Sequence, residues 1–173
     1  GENPAAEVYL RGQKRAAGEV GIELVERRLP ATSDFEAVAA VIDELNDDPA
    51  VTGIIVQRPL PLGVDPRDVQ GRVRRDKDVE GMAPSNMGAI LYHEPKLAPC
   101  TASAAFLLIQ RACPDLKGAE AVVVGHSEIV GKPLALLFLD AFCTVTVCHV
   151  GTPPERMKEA CLGADILCTA TGV

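Results

Sequence analysis

The feature that most constrains the fold is an alternation in the last third of the chain. "AEAVVVGH" (119–126) reads as a strand and "VGKPLALLFLDA" (130–141) as a helix. "CTVTVCHV" (143–150) reads as a second strand, "PPERMKEACLG" (153–163) as a second helix and "ADILCTATG" (164–172) as a third strand. Strands separated by one short-linked helix are re-entered from the same end, so they pair in parallel through right-handed crossovers. The pattern therefore predicts an α/β fold with a parallel sheet covered by helices.

The preceding residues also alternate, less regularly. Residues 5–20 read as a helix ending near Gly21, and "IELVERRL" (22–29) as a strand. "TSDFEAVAAVIDELN" (32–46) opens on the cap candidates Thr32, Ser33 and Asp34 and repeats apolar residues at helical spacing. "VTGIIVQ" (51–57) is a β-branched run expected to be a buried strand. A loop with three prolines follows (58–66), then a short helix over 66–75, a turn at "DKDVEG" (76–81) and a helix over 99–112. The expected division is an N-terminal α/β domain over 1–115 and a parallel-sheet domain over 116–173. The chain opens on Gly1 rather than Met and closes on Val173 directly after a strand pattern, which reads as a piece of something longer.

A chain of 173 residues can bury a core without staples. Its net charge of −7 argues against nucleic acid, which selects a basic face, but leaves room for a small anion in a local basic pocket. No apolar run reaches the ~18 residues of a membrane span, and there is no signal-peptide pattern, so a cytoplasmic protein without a membrane partner is expected. The six cysteines lie mostly inside apolar runs and form no CxxC pair, which predicts buried, reduced thiols. Cys148 and His149 are neighbours in a predicted strand and point to opposite faces, so Cys143, Cys148 and His149 make a poor metal site and none is assigned.

The chemistry concentrates where the first strand of the parallel sheet turns into its helix. "VVVGHSEIVGKP" (122–133) places Gly125 directly after the strand, Ser127 two residues on and Gly131 at the helix start. Gly125 permits a tight turn and close backbone approach, Ser127 offers a hydroxyl, and the helix presents free N–H groups to a phosphate. Pro133 suits the first turn, where a missing N–H is no loss. The loop alone fits equally well a plain α/β turn that binds nothing. The second strand ends in Cys148-His149-Val150, so the carboxylate that usually holds an NAD ribose is missing, and no arginine stands there for an NADP phosphate.

Six stretches in order, "YLRGQKRAA", "GIIVQRPLP", "DKDVEGMAPSNMGAI", "PCTASA", "VVVGHSEIVGKP" and "VTVCHVGT", together resemble the methylenetetrahydrofolate dehydrogenase/cyclohydrolase family over nearly the whole chain. The resemblance implies a catalytic α/β domain followed by a Rossmann-like NAD- or NADP-binding domain, usually in a homodimer, with a tetrahydrofolate derivative in the cleft between them. It implies oxidation of 5,10-methylenetetrahydrofolate with hydride passing to the nicotinamide, and in many members hydrolysis of the methenyl product. Tyr9 then matches the tyrosine that stacks on folate, and Gln57 the glutamine that assists the catalytic lysine. Thr101 matches a cofactor-side residue, while Gly125, Ser127 and Gly131 match the nucleotide loop.

The departures from the family are as informative. The catalytic lysine is expected four residues after the tyrosine, where this chain has Gln13; Lys14 lies about 100° further round the helix and should not replace it. Glu80 stands where the family's pterin-binding aspartate is usual, and Ala102 where "PCTP" has its second proline. His126 replaces a loop arginine common in NADP-using members, and Val150 replaces a polar residue. Gln13 is therefore expected to weaken or abolish the hydrolase step while leaving hydride transfer possible. A non-catalytic folate- or partner-binding relative is the alternative. His149 is expected to pack at a strand end, and His93 and Lys96 to sit in a solvated loop.

Overall fold

The computed structural model describes residues 4–93 and 97–171. Lys96 and the end of the third expected strand at Gly172 lie outside them. The chain forms two compact units, Gly1–Val79 and Glu80–Val173.

The first unit begins with α1 (Pro4–Glu19), and α2 (Phe35–Asp47) packs on α3 (Pro66–Arg72). Of the three cap candidates, Asp34 caps α2: its carboxylate accepts from Ala37 N–H at 2.9 Å. Asp65 does the same for α3, with Pro66 at the first helical position. Val38 and Ile42 of α2 meet Ile54, Val64, Val69 and Val73 in one core. Lys77 is 7% exposed, and its ammonium donates to Leu45 O at 2.8 Å and Asp48 O at 2.6 Å. It thus satisfies carbonyls that the end of α2 leaves without helical partners.

Neither expected strand of this unit forms as one. Residues 22–29 adopt no regular structure, and Ile22 and Val25 are exposed. Residues 51–57 make a single parallel bridge, Ile54 to Asp78, with Ile54 N–H donating to Lys77 O at 2.7 Å. A β-branched run becomes a strand only where a neighbour completes its ladder, and among the described residues only Ile54 has one.

The second unit contains α4 (Pro84–Leu91), α5 (Cys100–Ala112), β1 (Glu120–Val124), α6 (Gly131–Asp140), β2 (Thr144–Cys148), α7 (Pro154–Leu162) and β3 (Ile166–Thr169). The sheet is parallel, in the order β2-β1-β3, with Val124 opposite Cys148 and Thr169. The alternation read from the sequence is thus the observed topology. Helix α4 escapes that reading because Pro84 and Gly88 interrupt a short apolar stretch. Leu134, Leu137 and Phe138 of α6 pack on Ala121 and Val123 of β1, with Ile90 of α4 and Ala102 of α5 in the same core. Phe138 is fully buried and meets Phe106 edge-on, ring centroids 5.7 Å apart. Burying each such side chain stabilises by about 1.5–3 kcal/mol.

The packing boundary falls between Val79 and Glu80, earlier than the expected 115/116. Both α4 and α5 pack on α6, so their contacts belong with the sheet that follows them. The thiols are less uniform than expected. Cys143 and Cys148 are buried, but Cys100 and Cys113 are exposed. His93 takes a positive φ of 57° and lies 2.8 Å from Asp140, Nδ1 to Oδ1.

Candidate functional site

The residues singled out in the sequence fall into two groups, one in each unit. In the first unit, α1 carries Tyr9 and Gln13 one turn apart, on one side of the helix. Tyr9 is 58% exposed, so much of its ring is open to contact. Gln57 follows the bridge at Ile54 and precedes the cis peptide Arg58–Pro59. Its Nε2 donates to Gln13 Oε1 at 2.6 Å, in a partly buried setting. Two residues 44 apart in sequence are thereby joined as an amide pair.

Lys14 is held elsewhere. Its ammonium pairs with Glu26 at 2.6 Å, and Arg28 pairs with Glu26 and, at 2.7 Å, with Glu7. Hydrogen bonds from Lys14 and from Arg28 hold the Glu26 and Glu7 carboxyls below the ordinary glutamate range. The lysine next to Gln13 is thus committed to a surface ion network, on a different side of the helix from the amide pair.

In the second unit, Glu80 is half-buried, and its carbonyl lies 4.0 Å from Cys100 Sγ at the start of α5. Thr101, next along, is exposed, whereas Ala102, at the position of the missing proline, is fully buried in the core.

The loop after β1 is built around two glycines. Gly125 has φ +127°, and a Cβ there would lie 2.5 Å from Ala170 O just beyond β3. Its N–H donates to Cys148 O at 2.8 Å, closing the ladder with β2. A Cβ on Gly131 would strike Gly125 O and lie 2.6 Å from Gly125 C. Both positions exclude any side chain, so α6 starts directly against the loop. Because β2 and β3 flank β1 on opposite sides, this loop stands at the sheet's switch point, where open α/β sheets bind ligands. No side chain caps α6; Lys132 N–H donates to Ser127 O at 3.0 Å, Leu134 N–H to Val130 O at 2.9 Å and Pro133 has no N–H, so the first-turn group that faces an anion is the Gly131 N–H.

Ser127 does more local work than expected. Its Oγ accepts from Val130 N–H at 3.2 Å and its carbonyl from Lys132 N–H at 3.0 Å, which leaves the O–H to donate. His126 is exposed, and its ring centroid is 5.1 Å from that of His149. His149, expected to pack at a strand end, is the residue directly after β2 and is exposed. Its backbone N–H donates to Thr152 Oγ1 at 2.9 Å, and its Nδ1 accepts from Gly151 N–H at 3.1 Å. Val150 is fully exposed and brings no donor. The pairing of His126 with His149 was missed in the sequence. The available signal was that both follow adjacent strands within two residues of the Val124–Cys148 register.

A parallel β-α-β-α-β sheet whose switch-point loop runs through two glycines into an uncapped helix defines a class: a Rossmann-type nucleotide-binding α/β protein. Sequence comparison makes the assignment narrower. The tetrahydrofolate dehydrogenase/cyclohydrolase catalytic domain matches residues 1–80, and the NAD(P)-binding domain of the same enzymes matches residues 99–173. The chain belongs to the tetrahydrofolate dehydrogenase/cyclohydrolase family.

The bifunctional protein FolD 2 of Mesorhizobium japonicum is 50% identical over 99% of this chain and 56% of its own length. The bifunctional enzyme FolD from Campylobacter jejuni superposes with a TM-score of 0.94 at 34% identity, over 99% of this chain and 61% of that one. The Trypanosoma brucei enzyme, solved with NADP cofactor and an inhibitor, gives 0.93 at 31% identity, over 100% and 59%. The chain therefore spans somewhat more than half the length of these relatives.

Proposed function

We propose that this protein oxidises 5,10-methylenetetrahydrofolate to 5,10-methenyltetrahydrofolate with NAD or NADP, and that its methenyltetrahydrofolate cyclohydrolase step is weak or lost. The observation that carries the second half is the amide pair of Gln13 and Gln57, with Lys14 tied to Glu26. Hydrolysis requires a proton to be relayed to the departing nitrogen while water attacks a cationic carbon. A lysine in a folate pocket can exchange that proton near neutral pH, whereas a glutamine amide has no accessible protonation equilibrium. Gln13 and Gln57 can still orient substrate or water.

Oxidation makes a lighter demand on the side chains. The bound nicotinamide supplies the hydride acceptor, and the protein's task is placement. Tyr9 offers an open ring to stack on the pterin, and Glu80 a carboxylate for its amino groups. The fit of a dinucleotide rests on the two glycines that admit no Cβ and on the Gly131 N–H at the start of α6. Gly125, Ser127 and Gly131 would hold phosphate, with Thr101, His126 and Val150 also on the cofactor side. The same reading takes 1–115 as the catalytic domain, 116–173 as the start of the NAD(P)-binding domain, and a cytoplasmic homodimer as the working form; the six unpaired thiols are in keeping with that compartment.

Position 13 also favours a second reading, a folate- or partner-binding relative without turnover. Two assays on the full chain separate them. Reduced cofactor should accumulate with methylenetetrahydrofolate as substrate. Purified methenyltetrahydrofolate should disappear near the buffer rate, and about 10²–10⁴ times faster with Gln13→Lys. Rapid hydrolysis by the unmodified protein would refute the role given to position 13. Folate binding with no reduced cofactor would select the second reading.

A further inference from the structure

We infer that Arg58 is a specificity residue of the folate site and takes the carboxylates of the substrate's glutamyl tail. The inference rests on the folate reading of Tyr9, Gln13 and Gln57 and adds one contact to it. Among the arginines and lysines of the described residues, Lys77 is buried, Arg58 is half-buried and all the others are exposed. Lys77 donates to two carbonyls. Arg58 has no hydrogen bond or ion pair among the described residues.

A guanidinium is charged at any ordinary pH and has five N–H donors and no acceptor. Withdrawing it from water costs free energy that an anion normally offsets. The other arginines of this unit show that solution. Arg72 meets Asp43 through two bonds of 2.7 and 2.5 Å, and Arg74 meets Asp76 through two of 3.0 and 2.7 Å. Arg27 and Arg28 each hold a glutamate. All four are exposed, yet each has its carboxylate; the less exposed Arg58 has none.

The position of Arg58 says which anion completes it. Its Cα lies about 3.8 Å from that of Gln57, whose amide is joined to Gln13. Val56 and Leu60 pack against the core of the unit on either side, so the Gln57–Arg58 step is anchored. The amide pair leaves the N–H groups of Gln13 Nε2 and the lone pairs of Gln57 Oε1 for a substrate. Those groups are neutral and suit the neutral pterin ring. The charge of a tetrahydrofolate lies at its other end, in the two carboxylates of the glutamyl group. A ligand held at its ring by Gln13 and Gln57 brings those carboxylates with it, and the planar fork of Arg58 can take one through two bonds.

The test is calorimetric binding of tetrahydrofolate and of its glutamyl diamide to the full chain. The diamide differs only in carrying neutral amides in place of the carboxylates, so the ratio of dissociation constants isolates their charge. The unmodified protein should prefer the acid about tenfold or more, and less so in high salt. Arg58→Gln should abolish that preference and bind the diamide as the unmodified protein does, which also reports an intact site. Arg58→Lys keeps the charge without the fork and should retain part of the preference. All three proteins should bind 5′-AMP equally. A preference that survives Arg58→Gln, or an equal loss of acid and diamide in that variant, overturns the inference and leaves the folate reading standing. Weakened 5′-AMP binding in Arg58→Gln with the preference intact assigns the guanidinium to a cofactor phosphate and likewise overturns it. Failure of both folates to bind the unmodified protein overturns the inference and the folate reading together.

Discussion

Gly131→Ala is the most direct test of how the nucleotide loop is built. The new methyl would lie 2.6 Å from Gly125 C and 2.9 Å from His126 Cα, besides striking Gly125 O. Carbon atoms rest at about 3.5–4.0 Å, so a displacement of about 1 Å is required. All three neighbours are backbone, and no side chain can rotate away. Helix α6 cannot easily yield, because Leu134 and Phe138 anchor it in the core. The loop must therefore move. Overpacking of this kind costs about 1–3 kcal/mol, which lowers the melting temperature of a unit this size by about 5–15 °C. The displaced N–H groups should weaken 5′-AMP binding about tenfold or more. Gly88→Ala is the control: it lies inside α4 with nothing within 4 Å of a new Cβ. It should leave stability unchanged or raise it by up to about 1 kcal/mol. Thermal unfolding with calorimetric titration of 5′-AMP reads both effects. Unchanged melting and unchanged binding in Gly131→Ala would refute the contact as the device that shapes the loop.

Lys77→Met keeps the buried stem but removes the donor to Leu45 O and one of the two donors to Asp48 O, which keeps Val51 N–H, and should cost about 1–3 kcal/mol in urea unfolding; an unchanged midpoint would show that water replaces the ammonium. Iodoacetamide should modify the exposed Cys100 and Cys113 first. Cys143 and Cys168, whose thiols burial pushes above the ordinary range, should react only slowly, and early labelling of Cys143 would contradict its packing. The Glu7, Glu26, Asp43 and Asp76 carboxyls are held below their ordinary values of 4.5 and 3.8 by hydrogen bonds from Arg28, Lys14, Arg72 and Arg74 respectively. The unfolded chain protonates first, so the stability these pairs add is present above about pH 4.5 and is lost as pH falls through the lower folded values. High salt should shrink the effect, and stability that does not change between about pH 5 and 3 would refute it.

What the sequence determined by itself is what depends on near neighbours. The helix–strand order of 119–172, the parallel pairing it forces and the glycines that bracket the β1 loop are properties of local propensity and of connection length. The same holds for Tyr9 and Gln13 on one face of α1, since a period of 3.6 puts them there. The residue types at positions 13, 80, 102 and 126 are read directly, and with them the departures from the family.

The tertiary structure decided whatever depends on a distant partner. The run 22–29 has strand composition but forms no strand, because ladder bonds come from another segment. Helix α5 belongs with the sheet rather than with what precedes it, because its buried Ala102 meets α6. Lys14 is excluded from the amide pair by Glu26 and not only by its angle on the helix. His126 and His149, 23 residues apart in the chain, meet because the β1–β2 register brings the two strand ends side by side. A pattern read along the chain carries periodicity; it does not carry the distance between two loops that only a folded sheet sets.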